Sequence, residues 1–540
     1  MRSRKGVLPI FFRKKSLNQR ASTGPKQVPL PHDYKEISTS LKENEAYLRQ
    51  EFANTTDIVF REFYMGETRC LAVWVDGLIN SRVSHDLFRS LMLDVPPEVS
   101  RKIPSRDLAD YLNRHFLPFY STIRVEDMVE LKRWVLMHKM ILLVDGSPVG
   151  LVLDAETPPT RGMTEPVLES VVTGPRDSFL EPLRINTALI RSRLGDIRLK
   201  SENFIVGRRS NTLVTLMYVE DLANPEIVEE ARQRLSRVDI DGLIDSSILK
   251  ELIQDRRYSL FPLIKVSERP DKVVADLLEG RFAIVVDGSP QVLTAPTLFV
   301  EFLQTAEDYY MNPIVVWLVR LFRYLALFVA TNLPGLYVAV TTFHQEMLPI
   351  PLVFTVAGAR ETVPFPAFIE ALSILITFEL LWEAGIRLPR IVGGAVNIVG
   401  ALILGQAAVQ AGLVSQAMVI VIAATAISNF ALGSGYELAS GIRLVRLINL
   451  VAGSVLGLYG IALGFLAFMV HLTALRSFGV PYMAPLAPLR LREMKDVIYR
   501  APWWDMTRRP ALIAGEDLTR SKTPPPAPPP ERPPSQSRRK

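Results

Sequence analysis

The sequence predicts an α/β fold of two related soluble subdomains, followed by an all-α polytopic membrane domain. Three observations predict it. Long uncharged stretches are concentrated after Asn312, although the 540-residue chain as a whole is 48% hydrophobic and 22% charged, with mean hydropathy +0.18. Before that point, strand-like runs alternate with amphipathic helix-like runs, the pattern of sheets covered by helices. The same strand-end motif, VDGSP, occurs twice there, at 144–148 and 286–290.

Residues 1–32 combine basic side chains with Pro25, Pro29 and Pro31 and show no apolar period, so they read as a basic disordered arm. The apolar run at 7–12 is too short for a signal-peptide core. Cys70 is the only cysteine, which excludes an intramolecular disulfide or a multi-cysteine metal site and fits a reducing, cytosolic face.

Subdomain 1 is placed at 33–160, with a helix at 37–52 and strands at 70–75 and 140–144. Subdomain 2 is placed at 175–310, with strands at 212–219 and 282–286 and helices at 225–237, 246–254 and 273–278. Between them, TPPTRGMTEP has the prolines and glycine of a linker. Val75 precedes Val144 by 69 residues and Val219 precedes Val286 by 67, a spacing that suggests duplication. Asp-Gly after a strand is first a turn signal, because glycine accepts positive φ and aspartate caps its own turn. Asp145, Asp287 and Asp76 are therefore read as turn residues rather than as catalytic carboxylates.

The transmembrane helical domain is placed at 313–475. Residues 324–343 are uncharged between Arg323 and His344, and 447–470 are uncharged between Arg446 and His471. Residues 391–436 have no charge over 46 positions, which is about 69 Å if helical. They should fold back once near 412–416. Residues 366–384 are apolar apart from Glu370, Glu379 and Glu383, and 347–359, broken by Pro349 and Pro351, read as re-entrant or as a kinked partial span. The positive-inside rule puts Arg320 with Arg323, Arg387 with Arg390, and Arg443 with Arg446 on the inner side. Five crossings would then leave Arg476, Arg490, Arg492 and Lys495 outside, against the rule; a full crossing by 347–359 would make six. Residues 476–520 are taken as a cytosolic C-terminal segment, and 521–540 as a proline-rich disordered tail favouring polyproline II.

Two small-residue stripes stand out. Gly453, Gly457, Gly460 and Gly464 form two GxxxG pairs, and Gly393, Asn397, Ala401 and Gly405 repeat every four residues. They suit helix packing within one subunit or between subunits. A carboxylate at mid-bilayer costs roughly 2.5–3.5 kcal/mol unless it faces water or a partner. Glu379 and Glu383 share a helix face, with Glu370 about half a turn away. They are candidate pore-lining groups, or they pair with Arg387 or Arg390, or they are protonated.

Enzyme chemistry has no visible home. There is no P-loop and no G-x-S-x-G elbow, His344 and Glu346 are too isolated for a metal site, and GGAVNIVG at 393–400 lies inside a span rather than after a strand. No cofactor is expected. The net charge of +6 is concentrated near the chain ends without an aromatic platform, which favours anionic lipid headgroups over nucleic acid as the partner.

Several stretches carry a family resemblance: GRFAIVVDGSPQVLTAPTLFVEFLQTAEDYY (280–310), TTFHQEMLPIPL (341–352), FELLWEAGIRLPR (378–390) and SFGVPYMAP (477–485). With VEDLANPEIVEEARQRLSRVDIDGLIDSSILKELI (219–253), the chain resembles the A subunit of GerA-type spore germinant receptors from about 35 to about 510. The resemblance implies a protein of the spore inner membrane, acting with a transporter-like B subunit and a lipoprotein C subunit in signal transduction. It also implies homo-oligomerisation and an ion-conducting role that triggers germination. A nutrient-gated cation channel subunit and a non-conducting scaffold are the two readings carried forward. A secondary transporter would show inverted repeats, and none is visible.

Overall fold

The computed structural model describes residues 34–96, 103–117, 122–156, 166, 169–387, 405–432 and 435–526. The soluble half contains two five-stranded antiparallel sheets of the same order, β1-β2-β4-β5-β3 and β6-β7-β9-β10-β8. In the first, β2 (Thr68–Val75) and β4 (Met140–Val144) are central and read in the sequence as continuous apolar runs because both their faces are covered. Their partners β1 (Ile58–Met65), β3 (Thr122–Val125) and β5 (Gly150–Leu153) escaped the sequence reading; β1 is half exposed and the other two are four residues long. One face packs on α1 (Leu41–Glu51) and α4 (Met128–Leu136), the other on α2 (Ser81–Arg89) and α3 (Ser105–His115).

The second sheet repeats this plan. Its central strands are β7 (Thr212–Val219) and β9 (Phe282–Val286), flanked by β6 (Leu199–Val206), β8 (Lys265–Ser267) and β10 (Val292–Ala295). α5 (Leu183–Arg193) and α8 (Pro270–Leu278) cover one face; α6 (Pro225–Ser236) and α7 (Ser246–Ile253) cover the other.

The VDGSP aspartates reveal how closely the halves correspond. Asp145 Oδ1 accepts the Leu41 N–H at the start of α1, and Asp287 Oδ1 accepts the Leu183 N–H at the start of α5, each at 3.0 Å. Donor and acceptor are both displaced by 142 residues, as are Asn44 and Asn186, whose amides bridge the Ser38 and Leu180 backbones. Each aspartate thus satisfies an orphan amide of a helix start. Gly146 and Gly288 behind them have φ of 85°.

The C-terminal segment returns to the second sheet. Phe478 stacks edge-on against Phe282 with ring centroids 4.9 Å apart, Ile513 is fully buried in the same core, and the Gly515 N–H donates to Leu222 O at 2.6 Å. Phe478, Val480, Ala484 and Ile513 thus join subdomain 2's core.

The helical half begins with α9 (Pro313–Phe343) and includes α10 (Ile350–Arg360), α11 (Ala367–Arg387), α12 (Gln416–Ala431) and α13 (Gly435–Ala474). The reversal expected near 412–416 is present: Gly412 adopts φ 66° and Ser415 caps α12. Residues 447–470, read as one span, are not one. Gly457 has φ 61° and ψ −143°, and a Cβ on Gly453 would stand 2.8 Å from Ile461 Cδ1. Asn449 and Gly464, about 22 Å apart along an unbroken helix, are in contact. Residues 435–474 are hence two antiparallel legs folded at Gly457. The uncharged run looked continuous because glycine, unlike a charge, leaves no mark in a hydropathy profile.

Candidate functional site

The helical half has two ends, fixed by what each residue touches. Gly457, at the hairpin tip, lies against Phe343 and His344 at the end of α9. At the other end, Leu438, Ile442, Phe468 and Leu472 pack with Ala326, Phe261 and Phe299 beside the second sheet. α11 runs from the tip end, where Ala371 and Leu375 meet Val338 and Met418, toward the sheet end; α12 runs the same way, from Met418 to Leu432.

The three candidate glutamates lie on α11 but in different surroundings. Glu370 is completely buried; its Oε1 accepts from the Ser415 backbone N–H at 2.6 Å and from Ser415 Oγ at 2.5 Å, and Arg360 Nε stands 3.7 Å from Oε2. It therefore joins α11 to the N-terminus of α12, where the helix dipole favours an anion. Glu379 sits between Arg446 at 2.5 Å and Arg443 at 3.3 Å, both on the first leg of α13. Arg443 also lies over the Trp382 ring. Glu383 is more than half exposed and pairs along its own helix with Arg387 at 2.7 Å. The structure does not bring the three together, and Arg390 lies outside the described residues.

The glycine stripe is used inside the chain. Gly453 faces the Gly335 carbonyl of α9, Gly457 makes the reversal, Gly460 meets Ala452, and Gly464 meets Asn449. A Cβ on Gly405 would stand 4.0 Å from Val419 Cγ1; Gly393, Asn397 and Ala401 lie outside the described residues. Next to this crossing is a polar contact that the sequence reading missed. Asn449 Nδ2 donates to Asn332 Oδ1 at 2.9 Å, both side chains being buried. Its only signal was two asparagines within apolar runs.

A second cluster ties α9 to the soluble half. Asp308 accepts from Arg320 Nε at 3.0 Å and Arg323 Nη1 at 2.8 Å, and Arg320 Nη1 reaches Asp496 Oδ1 at 3.0 Å. Burial pushes the Asp308 carboxyl up, but Arg323 and Arg320 outweigh it and hold it below the usual carboxylate range. Arg320 and Arg323 were read only as orientation markers; they also join the two halves. Close by, a cavity of 140 Å³ is lined by Lys265, Asp276, Arg281, Glu301, Tyr309 and Trp503, among others. Burial, with Asp276 alongside, keeps the Glu301 carboxyl above its ordinary value despite Arg281 and Lys265. Among the described residues no group of three or more His, Cys, Asp and Glu side chains could hold a metal ion.

Comparison with known proteins gives a consistent picture. The model of the Bacillus/Clostridium GerA spore germination protein family matches residues 46–512. Spore germination protein KA of Bacillus subtilis (strain 168) is 40% identical over 488 residues, spanning 90% of this chain and 88% of that protein. Spore germination protein B1 of the same organism is 35% identical over 491 residues, spanning 90% of this chain and 100% of its own. Among solved structures, the crystal structure of the N-terminal domain of the A subunit of the Bacillus megaterium spore germinant receptor GerK3 is similar at 28% identity and TM-score 0.40, covering 50% of this chain and 99% of that one.

Proposed function

The chain belongs to the GerA spore germination protein family, and from that premise we propose that this A subunit of a germinant receptor is a six-pass membrane protein whose copies assemble round a nutrient-gated cation path. α9 and the hairpin carry the membrane reading. Their 18-residue apolar windows are only 33% and 28% buried, so most of that apolar surface faces outward. Each hairpin leg, about 33 and 26 Å long, is close to the roughly 30 Å of a hydrocarbon core.

The path supports an even number of passes. α9 leads away from the sheets, α11 and α12 both return, and the hairpin goes out and back. The sequence places two crossings within 391–436; the first of them lies largely outside the described residues, and with it the count is six. The packing of 476–515 on the second sheet supports the same parity, since both ends of the helical half share one side. Arg320, Arg323, Arg443 and Arg446 also sit toward that end, which fits a cytosolic soluble half in the spore inner membrane. α10, with 11 residues and none buried, is too short to cross.

Within this reading Glu383 is the carboxylate best placed to face a hydrated path, because Glu370 and Glu379 are engaged between helices. B and C subunits are the expected partners. The single observation that carries conduction is the exposed pair of Glu383 with Arg387 on a largely apolar helix, which lipid would penalise and water would not. The test is ion release from spores carrying Glu383→Gln at normal protein level: altered rate or cation preference supports the path, and unchanged release removes Glu383 from it. The non-conducting scaffold is favoured by the pairing of Glu379 with Arg443 and Arg446, which satisfies that carboxylate without water.

A further inference from the structure

The segment at 486–504 follows the helical half, yet it does not only join the soluble core. It runs back along the first turns of α9. Tyr324 Oη donates to Val497 O at 3.2 Å, Arg320 Nη1 donates to Asp496 O at 2.6 Å, and Leu486 and Ala487 pack beside Tyr324. Residues 320–324 mark the point where the charged start of α9 gives way to its uncharged run, so this segment lies at that boundary.

Its outward side is apolar. Leu489, Leu491, Ile498, Tyr499 and Trp504 are all exposed, Leu491 at 76%, within sixteen residues that include a short 3-10 turn. A solvated surface loop rarely displays so many large apolar side chains in succession. On α9, Trp317, Leu321, Phe322 and Leu325, which flank the contacting Arg320 and Tyr324 in sequence, are exposed too. The charges complete the pattern. Glu493 pairs with Arg490, Asp496 with Arg320 and Asp505 with Lys495. Arg492 is exposed and has no carboxylate partner among the described residues. Aromatic side chains and unpaired arginine beside an apolar face are the composition of a bilayer's headgroup zone.

We infer that 489–504 is an interfacial anchor that seats the soluble half on the membrane surface, its apolar side chains entering the headgroup region and Arg492 meeting lipid phosphate. The occupant is the bilayer that already surrounds α9, so the inference rests on the membrane reading above. Fixed at Arg320 and Tyr324, the anchor holds subdomain 2 at a set height above the helices.

The test uses the full chain in lipid nanodiscs with an environment-sensitive fluorophore on Leu491→Cys or, independently, Tyr499→Cys; the native Cys70 is buried. Nitroxide lipids labelled near the headgroup or near the chain end act as quenchers. Positions 491 and 499 should be quenched about twofold more by the shallow label than by the deep one. Leu466→Cys, exposed and midway along the second hairpin leg, should be quenched by the deep label, and its failure would reject the membrane reading itself. Quenching at 466 with none at 491 and 499 would overturn the anchor alone. Excimer formation between pyrenes on position 491 of two copies would also overturn it, by assigning the face to a subunit contact.

Discussion

Arg446 Nη2 stands 2.5 Å from Glu379 Oε1, a cross-helix ion pair joining the first leg of the hairpin to α11. The Arg446 side chain is 3% exposed, and Arg443 approaches the same carboxylate from the neighbouring turn. Removing one partner of such a pair leaves a buried charge uncompensated. Glu379→Gln is therefore expected to lower stability by about 3 kcal/mol, read as a drop in the thermal midpoint in detergent. Glu383→Gln, whose pair with Arg387 is exposed, should cost less than about 1 kcal/mol. Equal midpoints for the two variants would show that the Glu379 pair is not structural.

The reversal at Gly457 admits no side chain. Its φ of 61° lies in the left-handed region, and a Cβ there would stand 2.9 Å from His344 Nε2. Gly457→Ala should reduce the yield of monodisperse protein and the thermal midpoint, whereas Gly358→Ala, helical and with nothing within 4 Å of an added Cβ among the described residues, should lower neither. A Gly457→Ala protein matching the parent would mean that the hairpin is not the folded arrangement.

The Asp308 cluster gives a pH dependence with a definite sign. The Asp308 carboxyl is held below its unfolded value, so it stabilises the fold above about pH 4 and loses that contribution as pH falls through the folded value. Thermal midpoints of the parent and Asp308→Asn should differ at neutral pH and converge in acid. A gap that is independent of pH would mean that the Asp308 charge does not contribute.

The duplicated caps should be interchangeable in energy. Asp145→Ala and Asp287→Ala each remove the acceptor of one helix-start amide, and each is expected to cost about 1 kcal/mol in denaturant unfolding. A loss confined to one of them would show that the two halves are alike in shape but not in energetics.

How much of this was legible follows from what marks a sequence. The central strands were readable because burial on both faces gives a continuous apolar run, and the helices over 225–236 and 246–253 because one buried stripe imposes a period. The edge strands were not, because four residues or a half-exposed face carry no period. The turn role of VDGSP was readable from Asp-Gly alone, while its helix partner lies 104 residues away and could not be seen. In the helical half, the glutamates were conspicuous but their partners were not. Arg443 and Arg446 meet Glu379 only because α11 and the hairpin pack side by side, a contact that hydropathy does not encode.

The most direct test of the conducting role is cation flux through proteoliposomes containing the chain together with its receptor partners. Nutrient-triggered efflux that is lost without this chain, and whose cation preference changes in Glu383→Gln, is the expected result. An assembled complex that binds nutrient yet passes no cations would contradict the channel and leave the scaffold.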